Sequence, residues 1–184
     1  QCELMYTYDK LFSEYNHTVA QLLITGADVE NPIRHDNFSN TLNRLLELGA
    51  FPILNENDTI ATDEIVIGDN DTLGAIVAAT VQADLLVLLS DIEGLYTADP
   101  RDNAEAKLIP VVDEITPGIE ALAGGNGTSL GTGGMVTKLR AARIAGDAGI
   151  DMVIANGATP KLIYDIIDGK PVGTRFLGRA RRAD

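Results

Sequence analysis

Leu85-Leu86-Val87-Leu88-Leu89, followed at once by Ser90-Asp91, is the stretch that decides the fold. Five apolar residues in a row, without alternation, suit a strand covered on both faces, as in a parallel sheet. Outward from this run, helical and strand-like segments alternate. Leu4, Tyr8, Leu11, Phe12 and Tyr15 form a helical stripe, and Val19–Thr25 reads as a strand. Phe38, Leu42, Leu45 and Leu46 mark a second helix ended by Gly49, and Phe51–Leu54 a second strand. Asn70 to Val81 reads as helix. Beyond the central run come a helix containing Lys138, a strand at Met152–Ala155, a short helix near Leu162–Ile167, and a last strand at Gly173–Phe176. The span from Gly118 to Gly134 is glycine-rich and reads as irregular and mobile. This order predicts an α/β fold, a three-layer αβα sandwich with a mainly parallel central sheet.

In such sheets ligands gather beyond the carboxyl ends of the strands. Polar motifs stand at those ends here: Asn55-Glu56-Asn57-Asp58 after Phe51–Leu54, Ser90-Asp91 after the central run, and Asn156-Gly157 after Met152–Ala155. Asn and Asp are ordinary turn residues, but four hydrogen-bonding side chains in succession exceed what a turn requires. Gly68-Asp69-Asn70-Asp71 precedes the Thr72–Val81 helix; one Asp would cap it, so three adjacent polar groups suggest a second duty. Gly94-Leu95-Tyr96-Thr97-Ala98-Asp99-Pro100-Arg101 is a polar loop with one aromatic ring, which by itself could merely cover the core.

Gly131-Thr132-Gly133-Gly134-Met135-Val136-Thr137-Lys138 runs from a glycine-rich turn into a helix. Leu139, Ala142, Ala145 and Ala148 recur on one face of that helix, with Arg140, Arg143 and Asp147 on another. Unpaired N–H groups and partial positive charge at a helix start stabilise a phosphate, and Lys138 adds a full charge. The spacing is neither that of a Walker A loop nor G-x-G-x-x-G, because Val136 stands where the last glycine would be.

The 184 residues, 45% of them hydrophobic and 22% charged, suffice for one domain with a sizeable core. No apolar run reaches the length of a membrane span. The first residues, with Glu3 and Asp9, do not resemble a secretory signal. A net charge of −13 argues against nucleic acid as a partner of this segment, so an anionic substrate must be drawn in by local cations. Arg175, Arg179, Arg181 and Arg182 cluster near the end, and residues 177–184 read as a basic tail or linker. Cys2 is the sole cysteine, which excludes an internal disulfide and fits a cytoplasmic location; His17 and His35 lack metal-ligand spacing.

Taken together, these motifs resemble the amino acid kinase family, most closely its glutamate-phosphorylating members. The resemblance runs from Gln1 to Phe176 and rests on several long motifs in the right order: Asn55–Asp58, Gly68–Asp71, Ser90-Asp91, Gly94–Arg101 and Gly131–Lys138. It implies ATP-dependent phosphorylation of the L-glutamate γ-carboxylate to γ-glutamyl phosphate, the first step of proline biosynthesis, with Mg²⁺ on the nucleotide. It places Ser90, Asp91, Tyr96, Thr132, Gly133, Gly134, Met135, Val136, Thr137 and Lys138 against ATP. It places Asn55, Asp58, Asp69 and Asn70 around glutamate, with no protein metal ligands. Lys138 would neutralise charge on the transferring phosphoryl group, and Asp71 would hold the catalytic lysines in position. The resemblance also suggests a homodimer or tetramer, inhibition by proline and, beyond the kinase, hand-off to a γ-glutamyl phosphate reductase.

Against the family pattern, the opening strand and its glycine-containing loop with a second phosphate-contacting lysine are not found in the sequence. Nor is the loop carrying a substrate-binding serine, or the small RNA-modification-type domain that many bacterial members carry. A chain without them is expected to be inactive by itself. A relative acting on acetylglutamate, aspartate or a nucleotide would share the fold and the glycine loop. A non-catalytic nucleotide or amino-acid sensor, and a synthase fused to a reductase, are the other readings.

Overall fold

Continuous apolar strands need cover on both faces, and the computed structural model shows how this chain provides it; it describes residues 1–60, 66–123 and 134–179. Two compact units divide the chain, Gln1–Gly68 and Asp69–Asp184.

In the first unit, helix α1 (Cys2–Ser13) leads to strand β1 (Val19–Ile24), and the chain returns through α2 (Gly26–Glu30) and α3 (Pro32–Glu47) to β2 (Phe51–Glu56). β1 and β2 pair in parallel, Val19 opposite Phe51 and Ile24 opposite Glu56. Phe38 and Leu42 bury the inner face of α3. Gly49, at φ +72°, turns the chain out of α3 and into β2. α1 packs through its aromatic side, with the Phe12 ring 5.0 Å from that of Phe51.

The second unit holds α4 (Asn70–Thr80), β3 (Leu85–Ser90), β4 (Val111–Val112), α5 (Pro117–Ala123), α6 (Met135–Asp147), β5 (Asp151–Asn156), α7 (Leu162–Ile167) and β6 (Thr174–Phe176). Its sheet has the order β3-β5-β6-β4. β3 and β5 are parallel, as are β4 and β6, while β5 and β6 run antiparallel. Side chains of β5 alternate between two cores. Met152 and Ile154 join Leu86 and Leu88 of β3 beneath α4 and α6. Val153 and Ala155 join Leu85 and Val87 against Ile166 of α7. Helices thus cover both faces of this sheet, which is the physical reason the two strands read as unbroken apolar runs.

Small residues set the packing of α4 on α6. Ala75 and Ala78 face Ala141, Ala142 and Ala145, all buried, so the two helix backbones approach closely. One expectation is corrected in part: residues 118–123 are not irregular but belong to α5. Thr116-Pro117 is a helix-start pair, with the Glu120 N–H donating to the Thr116 carbonyl at 3.0 Å. Ile119, Leu122 and Ala123 pack on the core, and Glu120 pairs with Arg143 of α6. Residues 124–133 lie outside the described residues. After β6 the chain stays pinned: the Leu177 N–H donates to the Val112 carbonyl and that of Arg179 to the Gly146 carbonyl, both at 3.0 Å.

Gly173 is the turn on which β6 depends. Its φ is +64°, and a Cβ there would lie 1.9 Å from the Ile154 carbonyl oxygen. Gly173→Ala is expected to cost at least about 2 kcal/mol, read as a lowered urea midpoint; an unchanged midpoint would show that this turn is not a fixed point of the sheet.

Candidate active site

Helix α4 begins with Asp69, whose Oδ1 accepts the Thr72 N–H at 2.7 Å while its Oδ2 accepts the Thr72 hydroxyl at 2.8 Å. This is a true N-cap, and Arg140 of α6 stands 3.6 Å from the same carboxylate. Asn70 is exposed at the first helical position. Asp71 follows in the first turn, where a carboxylate is favoured by the helix dipole.

Helix α6 begins after Gly134, and Lys138 sits within its opening turns. Lys138 is 7% exposed, an unusual degree of burial for a lysine. Its Nζ donates to Asp71 Oδ2 at 3.1 Å, and the Thr137 hydroxyl lies 2.7 Å from the same oxygen. A cation near a helix N-terminus works against the dipole, so both the helix end and the ammonium raise the local positive potential. Asp71 offsets one charge. Of the ammonium's three N–H donors, one is committed to a partner among the described residues. Such an arrangement is chemically able to receive an anion.

α4 feeds β3 and α6 feeds β5, each through a short turn, so both helices start at the carboxyl edge of the parallel strands. Ser90 and Asn156 end those strands directly opposite one another. The Gly157 N–H donates to the Ser90 carbonyl at 2.7 Å. The Ser90 hydroxyl donates to Asp91 Oδ1 at 3.0 Å, and Asp91 itself is exposed. The polar residues foreseen at these strand ends therefore do lie side by side.

Tyr96 stands further along this loop, half-buried, in a short antiparallel bridge with Leu108. Its hydroxyl donates to Glu93, and this hydrogen bond, with burial and the Glu93 charge, pushes the phenol pKa up. Buried Leu95 beside it donates its N–H to the Thr174 hydroxyl at 2.8 Å. Arg101 closes the loop by bonding Asp99 through side chain and backbone, and holds that carboxyl down at about 2.

In the first unit, Asn55 lies near the end of β2, its amide 3.4 Å from the Gln1 side chain. Asp58 is exposed in the turn that follows. Glu56 between them was not singled out by sequence reasoning. Its two carboxylate oxygens accept the Ile67 and Gly68 N–H groups at 2.8 and 3.0 Å, tying the far end of the connecting loop back to β2. Sequence reasoning likewise missed the pairing of Arg140 with Asp69 and the buried hydroxyl of Thr174, because contacts between distant segments give no local signal. Met135, Val136 and Thr137 occupy the first turn of α6, Val136 facing outward. Thr132 and Gly133 lie outside the described residues.

The family model of the amino acid kinase family matches residues 1–156. Among curated relatives, the glutamate 5-kinase of Clostridium tetani (strain Massachusetts / E88) is 54% identical over 173 residues, covering 94% of this chain and 65% of its own. That of Clostridium perfringens (strain 13 / Type A) is 51% identical, with 97% and 68% covered, and that of Deinococcus radiodurans 50% identical, with 100% and 51% covered. The chain thus spans about half to two thirds of the length of these relatives. Among solved structures, an isopentenyl phosphate kinase has a TM-score of 0.62 at 19% identity, covering 93% of this chain and 64% of its own. The UMP kinase of Bacillus anthracis also has a TM-score of 0.62, at 17% identity, with 92% and 62% covered. These two likenesses speak to the fold alone. With a family model matching most of its length and close relatives along all of it, the chain belongs to the amino acid kinase family and has that family's α/β sandwich fold.

Proposed function

We propose that this chain is the kinase portion of an enzyme that transfers the γ-phosphoryl group of ATP to the γ-carboxylate of L-glutamate, giving γ-glutamyl phosphate on the route to proline. The observation that carries this reading is Lys138: a buried ammonium at the start of α6, held by Asp71, its one hydrogen-bond partner among the described residues. The choice of glutamate is supported by the names of relatives about 50% identical to this chain.

The residue types suit this chemistry. A glutamate side chain, with a reference pKa near 4.3, is ionised at neutral pH and needs no general base to attack phosphorus. The barrier comes from bringing that carboxylate to a polyanion. Lys138 and the N–H groups opening α6 would oppose the repulsion by stabilising charge on the transferring group. Asp71 would hold the ammonium in place. ATP supplies the phosphoryl group, and the α6 start with Lys138 is a fitting cradle for its phosphates. Mg²⁺ would ride mainly on nucleotide oxygens, its usual habit. No group of three or more His, Cys, Asp or Glu among the described residues could hold a metal ion.

Ser90, Asp91, Tyr96 and Gly134 to Thr137 are proposed to line the nucleotide, and Asn55, Asp58, Asp69 and Asn70 to serve glutamate. For Asp69, both carboxylate oxygens are already engaged by Thr72, so a contact with substrate would be shared with capping. Residues 1–176 are proposed as the kinase domain and 177–184 as a basic tail or linker, its first residues Leu177 and Arg179 hydrogen-bonded to Val112 and Gly146. Assembly into a homodimer or tetramer, a cytoplasmic location and transfer of the labile product to a reductase complete the proposal. Among the described residues no helix is long and apolar enough to cross a membrane.

The test is ADP release by the full-length protein with ATP and glutamate, beside acetylglutamate, aspartate and UMP. Glutamate-dependent release is expected; release with another acceptor alone would contradict the assignment. Lys138→Ala should lower kcat by about a hundredfold or more with a smaller change in KM, and an unchanged kcat would remove Lys138 from the chemical step. Asp58→Ala should raise the KM for glutamate about tenfold or more, because its carboxylate would pair with the substrate ammonium. If only the ATP constant moved, Asp58 would belong elsewhere.

A further inference from the structure

The Thr137 hydroxyl lies 2.7 Å from Asp71 Oδ2 and 2.8 Å from the Gly134 carbonyl oxygen. It carries one proton and can donate to only one of them at a time. A bond to a carboxylate is charge-assisted and stronger than one to a neutral carbonyl, so Asp71 takes the proton. Bonding to Gly134 alone would be an ordinary local contact within the first turn of α6. The reach to Asp71 spans 66 positions of sequence and joins two helices.

Lys138 Nζ meets that same oxygen at 3.1 Å, longer than the 2.7–2.9 Å common for charge-assisted N–H···O bonds. The lysine is therefore the looser of the two donors. Its four-carbon stem could swing, and the Asp71 carboxylate could rotate with it. Thr137 resists that rotation. Its stem is short, and its hydroxyl makes the shorter bond, 2.7 Å against 3.1 Å. Among the described residues, the neighbouring carboxylate of Asp69 caps α4 and faces Arg140.

We infer that Thr137 is a positioning residue for phosphoryl transfer: its hydroxyl fixes the Asp71 carboxylate, which in turn aims the Lys138 ammonium at the transferring group. This rests on the proposed kinase activity and departs from direct contact between the Thr137 side chain and the nucleotide. The hydroxyl is consumed inside the protein.

The experiment uses the full-length protein and steady-state kinetics with ATP and glutamate for Thr137→Val, which keeps the shape and removes the hydroxyl, and Thr137→Ser, which keeps the hydroxyl. Thr137→Val is expected to lower kcat about tenfold or more, with both KM values within about threefold, and Thr137→Ser to stay within about threefold of the unmutated kcat. On an Asp71→Asn background, Thr137→Val should add less than about twofold, because the pathway it serves is already cut. Should Thr137→Val fail to fold, Thr137→Ala replaces it in the same comparison. Three results would overturn the inference: an unchanged kcat, a raised KM for ATP with kcat retained, or a full additional loss on the Asp71→Asn background. Absence of glutamate-dependent turnover in the unmutated protein would instead overturn the kinase reading, and this inference with it.

Discussion

A lysine ammonium taken out of water must be paired, and in this protein the partner is Asp71, on a different helix and 67 positions away. Removing one member of a buried ion pair typically costs about 3–5 kcal/mol, because the other is left charged without compensation. Asp71 and Lys138 therefore constrain where α4 and α6 begin relative to each other. Arg140 facing Asp69 adds a second, more exposed tie between the same helix starts. The geometry of the proposed phosphate site follows from these contacts.

The packing beneath them makes the pair affordable. Alanines on the facing sides of α4 and α6 allow close approach, and both helices lie on the face of the sheet formed by Leu86, Leu88, Met152 and Ile154. Because each helix leads by a short turn into the strand below it, its N-terminus comes to the carboxyl edge, beside Ser90 and Asn156. Gly173 and Thr174 hold β6 against β5, and the Thr174 hydroxyl links Leu95 to the Ile109 carbonyl. The core thus reaches into the loop that carries Tyr96.

Much of this architecture was legible in the sequence because burial on two faces leaves an unmistakable mark. Leu85–Leu89 and Met152–Ala155 read as strands covered on both faces and are so, and Gly49 ended α3 as its position suggested. Short elements were harder to foresee. β4 has two residues and α2 five, too few for any periodicity to show, and the glycine at 118 masked the helical character of α5. At the proposed site, Lys138 stood out by residue type and position, while the part given to Asp71 came from the family resemblance. The contacts of Thr137 and Glu56 did not, because a hydrogen bond between distant segments leaves no spacing pattern in the chain.

The most direct measurement is a crystal structure of the full-length protein with a non-hydrolysable ATP analogue and glutamate. Lys138 Nζ is expected within about 3.5 Å of a γ-phosphate oxygen while still hydrogen-bonded to Asp71. A γ-phosphate beyond about 6 Å from that amine, with other cations gathered around it, would contradict the central claim.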